Sequence, residues 1–295
     1  MITGSNSNGL FGLHVSSSAG SGSMKLEGDA QITGSLNING PLLVSPLSGD
    51  VSNVVIGSGS GGSMVNGAVN NTLIGRTAGA GITNRDNNVV IGTSAGSSND
   101  GEKNVFVGAS AGLYGNAAHS NVGIGYLALR GDNSPENTSD YNIGIGDSAG
   151  VMMSSGNNNI ALGYRSSYGH YTGITGANNV SLSRDTLFYL KGGSNNIAIG
   201  RDAGYYHTDG DHNIYLGYRA GYNNSTGNNN ILIGELAGST LTNPNKQLII
   251  GSGSTALISG SLDGGVKILG QVSASSYIGD GSSLTGVQAF PFSGD

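Results

Sequence analysis

The chain has 295 residues, 36% apolar and only 10% charged, with a formal net charge of −6, 54 glycines, no cysteine and no tryptophan. Twelve Lys and Arg with no basic run exclude the electrostatic footprint of a nucleic-acid binder, and the missing cysteines exclude disulfide staples and thiolate metal sites. So little apolar material over this length calls for a thin, elongated core, and glycine without a Gly-x-y period is here a turn former, not collagen.

Residues 1–52 read as an amino-terminal β connector or capping region. Met1-Ile-Thr-Gly-Ser-Asn has neither the basic segment nor the apolar stretch of a signal peptide, so export by a cleaved leader is not expected. No run anywhere approaches the roughly 18 apolar residues of a membrane helix, so membrane insertion is not expected either.

From residue 53 to 251 one phrase recurs: asparagine, an apolar residue, a variable residue, an apolar residue, glycine. It runs Asn53-Val-Val-Ile-Gly57, Asn71-Thr-Leu-Ile-Gly75, then from Asn88 to Gly92, Asn104 to Gly108, Asn121 to Gly125, Asn142 to Gly146 and Asn159 to Gly163. The rest are Asn179-Val-Ser-Leu-Ser183, Asn196 to Gly200, Asn213 to Gly217, Asn230 to Gly234 and Gln247-Leu-Ile-Ile-Gly251. Successive closing residues are 18, 17, 16, 17, 21, 17, 20, 17, 17, 17 and 17 apart. A unit with one short apolar strand cannot bury its face alone and must stack on the next. The expected fold is therefore all-β: a β-solenoid or β-roll of about twelve 17-residue coils, roughly 50 Å long at 4.8 Å per strand. Period two sends the second and fourth positions of each phrase to one face, which is expected to be the coil interior. The third position, tiny in some copies and large in others, is then expected to meet another copy of the chain. Stacked asparagines are expected to bond along the array, with Asn88, Asn104, Asn196, Asn213 and Asn230 as structural residues beside Gly92, Gly108, Gly200, Gly217 and Gly234. Seven copies continue to Ala-Gly at a fixed offset, where the backbone turns, and both long steps grow in the segment after it, placing insertions at one edge of the stack.

Residues 252–295 read as a carboxy-terminal β connector. Ile258-Ser-Gly-Ser-Leu262 echoes Ile32-Thr-Gly-Ser-Leu36, and Ser293-Gly-Asp295 echoes Ser48-Gly-Asp50, as if a longer chain continued into a further connector. Both ends are expected to shield the strand edges of the array.

Candidate sites are few. Gly57-Ser-Gly-Ser-Gly-Gly62 satisfies the dinucleotide pattern formally, but no helix is predicted after it to receive a pyrophosphate. His207, Asp209, Asp211 and His212 are the densest group of metal-ligand types, at no established ligand spacing and in a segment where polar loop residues are expected anyway. Ten of thirteen tyrosines lie between Tyr141 and Tyr222. Tyr164, Tyr168, Tyr171, Tyr205, Tyr206 and Tyr222 are candidates for gripping a glycan, weighed against simple packing of coil edges, which is favoured. Asp185, Asp202, Asp209, Asp211 and Glu235 offer no pair spaced for glycoside cleavage, and no nucleophile–base set can be named, so neither an enzyme nor a cofactor is expected.

Asn196-Ile-Ala-Ile-Gly-Arg-Asp-Ala-Gly204 and its relatives at Asn213 and Asn230 resemble the head repeats of trimeric autotransporter adhesins, and more closely the Asn-x-Ala-Ile-Gly-x-x-Ala repeats of fibres that carry a self-cleaving carboxy-terminal chaperone of the endosialidase type. Gln31-Ile-Thr-Gly-Ser-Leu-Asn-Ile-Asn-Gly40, Tyr277-Ile-Gly-Asp-Gly-Ser-Ser-Leu-Thr-Gly-Val287 and Phe290-Pro-Phe-Ser-Gly-Asp295 resemble segments of marine tailed-bacteriophage structural and tail-fibre proteins. The resemblance implies an intertwined homotrimeric fibre, in a virion tail or head, that positions host-receptor binding. Its implied partners are further copies of itself, other fibre or baseplate proteins, and a host surface glycan. Alternatives in the same frame are a trimeric adhesin on a bacterial surface and a tailspike that binds or depolymerises glycan. The sequence departs from autotransporters in showing no signal peptide or membrane anchor, and no chaperone domain is recognisable.

Overall fold

The computed structural model describes residues 52–65, 67–133, 137–253 and 255–268, without the side chains of 266–268. The flanking phrases at 31–40, 48–50, 277–287 and 290–295 lie outside the described residues.

Among the described residues all regular structure is β, and one sheet takes its fourteen strands in sequence order. The first eleven, β1 (Val54–Ile56) to β11 (Ile231–Ile233), are three residues long and occupy the middle of successive phrases. Each pairs in parallel with the strand one coil later: Val54, Val55 and Ile56 oppose Thr72, Leu73 and Ile74, and the register continues to β12 (Gln247–Ser252). The chain is thus a β-solenoid with coils of about 17 residues. Its lower edge is closed differently, since β13 (Thr255–Ser261) turns back antiparallel on β12 and β14 (Val266–Ile268) pairs antiparallel with β13.

The expectation for the two strand faces is inverted in the structure. The third position points inward: Leu73, Val90, Phe106, Ala161, Ser181, Ala198, Tyr215 and Leu232 are all buried. The second and fourth positions point out, and Ile56, Ile124, Ile145, Ile197 and Ile199 are 38–46% exposed. The reason is the narrow bore. A three-residue strand can send only its central side chain inward, between the flat turns of the same coil. The size variation at that position is compensation between neighbouring coils, not accommodation of a partner. A Cβ on Gly123 would come 3.0 Å from Phe106 one coil above, and one on Gly144 would come 2.8 Å from Leu129, so glycine at 123 and 144 makes the room that Phe106 and Leu129 fill. Alanine from the Ala-Gly turn completes the core, with Ala78, Ala95, Ala111, Ala149, Ala203, Ala220 and Ala237 fully buried.

The asparagine column is continuous and does more than bond amide to amide. The Oδ1 of Asn196 accepts the backbone N–H of Asn213 at 2.9 Å and its Nδ2 at 3.0 Å, while Asn196 Nδ2 donates to Asn179 Oδ1 at 3.0 Å and to the Gly210 carbonyl at 2.8 Å. The backbone link recurs at every step from Asn53 to Gln247. One side chain therefore pins its coil to the next and also ties the start of a coil to its end, fourteen residues on in the case of Asn196 and Gly210. These amides are buried, and buried polar groups are stable only when satisfied in this way. The phrase-closing glycine is required by approach as well as by conformation: Gly200 has φ +123, and a Cβ there would lie 2.6 Å from the Gly217 carbonyl oxygen.

Candidate functional site

The tyrosine-rich stretch folds into two parallel columns just past the strands. Tyr168, Phe188, Tyr205 and Tyr222 occupy equivalent positions of four successive coils, with ring centroids 5.0, 5.1 and 5.3 Å apart and interplanar angles of 7, 8 and 13°. The next residue in each coil forms the second column: Tyr189 stacks on Tyr206 at 5.5 Å and 6°, and both meet the first column edge to face at 83–85°. Translation by one coil generates this herringbone automatically, because residues one period apart repeat the same orientation. It brings together the candidates Tyr168, Tyr205, Tyr206 and Tyr222, and adds Phe188 and Tyr189, which aligning the repeat at its closing glycine would have found.

Tyr164 lies apart, sandwiched near Arg165 and Arg184 at 5.5 and 5.3 Å from their guanidinium carbons, and Tyr218 is flanked by Arg201 and Arg219 at 4.9 and 5.1 Å. The same arginines hold the carboxylates of this edge. Asp185 is 3.0 Å from Arg165 and 2.9 Å from Arg184, and Asp202 is 3.1 Å from Arg219 and 3.6 Å from Arg201. Tyr171 is the most open of the set, 81% exposed, with its ring 4.0 Å from that of His170.

The possible metal ligands are not brought together. His207 turns into the bore and is fully buried, whereas Asp209 accepts the Gly192 N–H at 3.2 Å and Asp211 the Ser194 N–H at 2.7 Å, and His212 is exposed. Among the described residues no group of three or more His, Asp or Glu side chains could hold a metal ion. His207 instead completes a polar chain inside the coil. Its Nε2 lies 2.8 Å from the Gly210 carbonyl, and its Nδ1 lies 3.2 Å from both the Asn224 carbonyl and the Tyr215 hydroxyl. That hydroxyl in turn accepts from Asn224 Nδ2 at 2.6 Å. Burial pushes the His207 pKa down, keeping the imidazole neutral. The Gly57–Gly62 segment is a turn, not a phosphate cradle: a Cβ on Gly57 would meet the Gly75 carbonyl at 2.4 Å, so the next coil already covers it.

The second surface is the outer face of the sheet. The registers align two unbroken columns, one from Val54 through Thr72, Val89, Val105, Val122 and onward to Leu248, the other from Ile56 to Ile250. Every member but Thr72 is Val, Ile or Leu. No family model matches the chain, and no curated protein or solved structure matches it.

Proposed function

We propose that the chain is a structural fibre segment: a stiff β-solenoid shaft that assembles as a homotrimer and, in the tail or head fibre of a bacteriophage, projects and positions host-receptor binding. The observation that carries this reading is the pair of outward aliphatic columns. A strip of this kind, two residues wide and on the order of 50 Å long, exceeds what a lone soluble surface leaves in water without a purpose. Only a surface with the same repeat and length covers it without leaving gaps, and another copy of the chain is such a surface. The resemblance to trimeric fibre heads supports three copies.

The charge supports a role by shape. A net charge of −6 without a basic run offers nothing to nucleic acid, and the carboxylates at the aromatic edge are engaged by arginine. A stiff shaft holding several weak contacts at fixed spacing raises avidity by two or more decades, roughly, over a single contact. Immunogold electron microscopy with antibody raised against residues 53–251 tests the assignment. Gold on fibres of purified virions, with blocked adsorption to the host, supports it; label confined to a bacterial cell surface contradicts it.

A further inference from the structure

The aromatic herringbone has one missing ring. In the second column the residues in register are Met152, Gly169, Tyr189 and Tyr206, as the backbone bonds from Met152 to Tyr168, Gly169 to Phe188, Tyr189 to Tyr205 and Tyr206 to Tyr222 establish. Gly169 supplies no ring where Tyr189 and Tyr206 do. The gap is built in: Gly169 has φ +96, and a Cβ there would lie 2.7 Å from Met152 Cβ and 2.8 Å from Ile174. What remains is a cleft of about 370 Å³ lined by Met152, Tyr168, His170, Tyr171, Phe188 and Tyr189. It opens beside the three-residue lengthening of this coil, whose closing residues Gly163 and Ser183 are 20 apart.

We propose that this cleft binds a hexopyranose-containing glycan, with one sugar ring taking the place of the missing aromatic ring on the open face of Tyr189. Three observations select this class. A ring placed one coil step above Tyr189 lies parallel to it, and the electron-rich face of tyrosine attracts the C–H face of a pyranose. The volume is more than twice the roughly 150 Å³ that holds a benzene molecule, so a single aromatic ring leaves it half empty while a disaccharide occupies it. Hydrogen-bonding groups gather around the cleft: the hydroxyls of Tyr171 and Tyr189, both exposed, and the His170 ring, whose Nδ1 is bonded to Thr172 at 2.9 Å and leaves Nε2 for a ligand. Sugar hydroxyls project around the edge of the ring to such partners, which a plain aromatic ligand cannot use.

Phe188 and Tyr205 have both faces covered by neighbouring rings, which leaves them to packing, and the cleft places recognition at Tyr189, Tyr168 and Tyr171. The inference deepens the fibre reading by naming its receptor class, but the cleft belongs to one chain: sugar binding by an unassembled chain would uphold it even if the shaft proved not to be trimeric.

The test is a titration of the full chain, followed by the ring resonances of its tyrosines or by calorimetry, with cellobiose, maltose and lactose on one side and phenol and indole on the other. At least one disaccharide is expected to bind, about tenfold more weakly to Tyr189→Ala and undiminished to Tyr222→Ala, which removes a ring of the same ladder at its far end. Tyr171→Ser, at an exposed position where folding is not at stake, is expected to weaken binding as well. Binding of phenol or indole with no disaccharide, binding indifferent to Tyr189→Ala and Tyr171→Ser, or no binding of any of the three sugars overturns the proposal.

Discussion

Replacing Asn196 by aspartate changes one nitrogen to oxygen with no change of shape, and so isolates the hydrogen bonds of the buried ladder from its packing. Asn196 is completely buried, and its Nδ2 donates at 3.0 Å to Asn179 Oδ1 and at 2.8 Å to the Gly210 carbonyl. In Asn196→Asp an oxygen faces two acceptors at those distances. Each orphaned buried group costs about 1–3 kcal/mol, and the carboxylate is further penalised by burial, so the loss at neutral pH is about 3–5 kcal/mol per chain. The penalty has a definite pH dependence. Burial raises the new carboxyl's pKa above its unfolded value near 4, so the folded state binds the extra proton and the variant recovers stability relative to the parent as pH falls towards 4. Protonated aspartate also regains one donor. Urea midpoints from about pH 7 to 4 read the global effect, and hydrogen exchange at the Asn213 amide, which Asn196 Oδ1 accepts, reads the local one. Gln247→Ala, at the partly exposed last position of the column, is expected to cost under about 1 kcal/mol. A loss below about 1 kcal/mol for Asn196→Asp, with unchanged exchange at Asn213, would refute the ladder as a stabilising element.

Three further outcomes follow from the same geometry. Ile199 is 41% exposed, so covering it in an assembly is worth roughly 1 kcal/mol, and Ile199→Asp is expected to leave the circular dichroism of the coil intact while light scattering shows the assembly falling apart; a variant that still assembles removes the aliphatic face from the interface. Ser183 stands where other coils have glycine and holds φ 121, a region costly for any side chain, so Ser183→Gly is expected to raise stability by about 1 kcal/mol or more in urea melts, and a fall would contradict the strain. Because burial lowers the folded pKa of His207, its stabilising contribution is complete above the unfolded value of about 6.5 and is lost as pH falls below it; that slope is expected to vanish in His207→Leu, and an unchanged slope assigns it elsewhere.

The repeat made the stack readable, because a phrase returning every 17 residues has few ways to bury itself other than on its own copies. Glycine at its end and asparagine at its start identified the positions where backbones approach and side chains pair. What could not be read was which strand face looks inward. Alternation assigns Val54 and Ile56 to one side and Val55 to the other, but with aliphatic residues on both sides it carries no sign. The sign was present in a different form. A column whose members vary from glycine to phenylalanine to tyrosine is one where volumes trade between neighbours in a closed bore, as Gly123 with Phe106, whereas the columns of Val, Ile and Leu, with Thr72, face outward. The aromatic site was half legible: counting tyrosines located it, but its one vacancy is a glycine, and only the register of Gly169 beneath Met152 and above Tyr189 reveals it. His207 shows the opposite failure, since a histidine among aspartates in a polar segment reads as a solvated loop residue, with ligation the weaker alternative, until the backbone turns it into the bore.

The mass of the particle in dilute solution tests most directly whether the outward aliphatic columns join identical chains into one shaft. Light scattering of the intact protein is expected to give three chains of 29.5 kDa, stable on dilution. A persistent single chain of 29.5 kDa, with those columns left open to water, would contradict it.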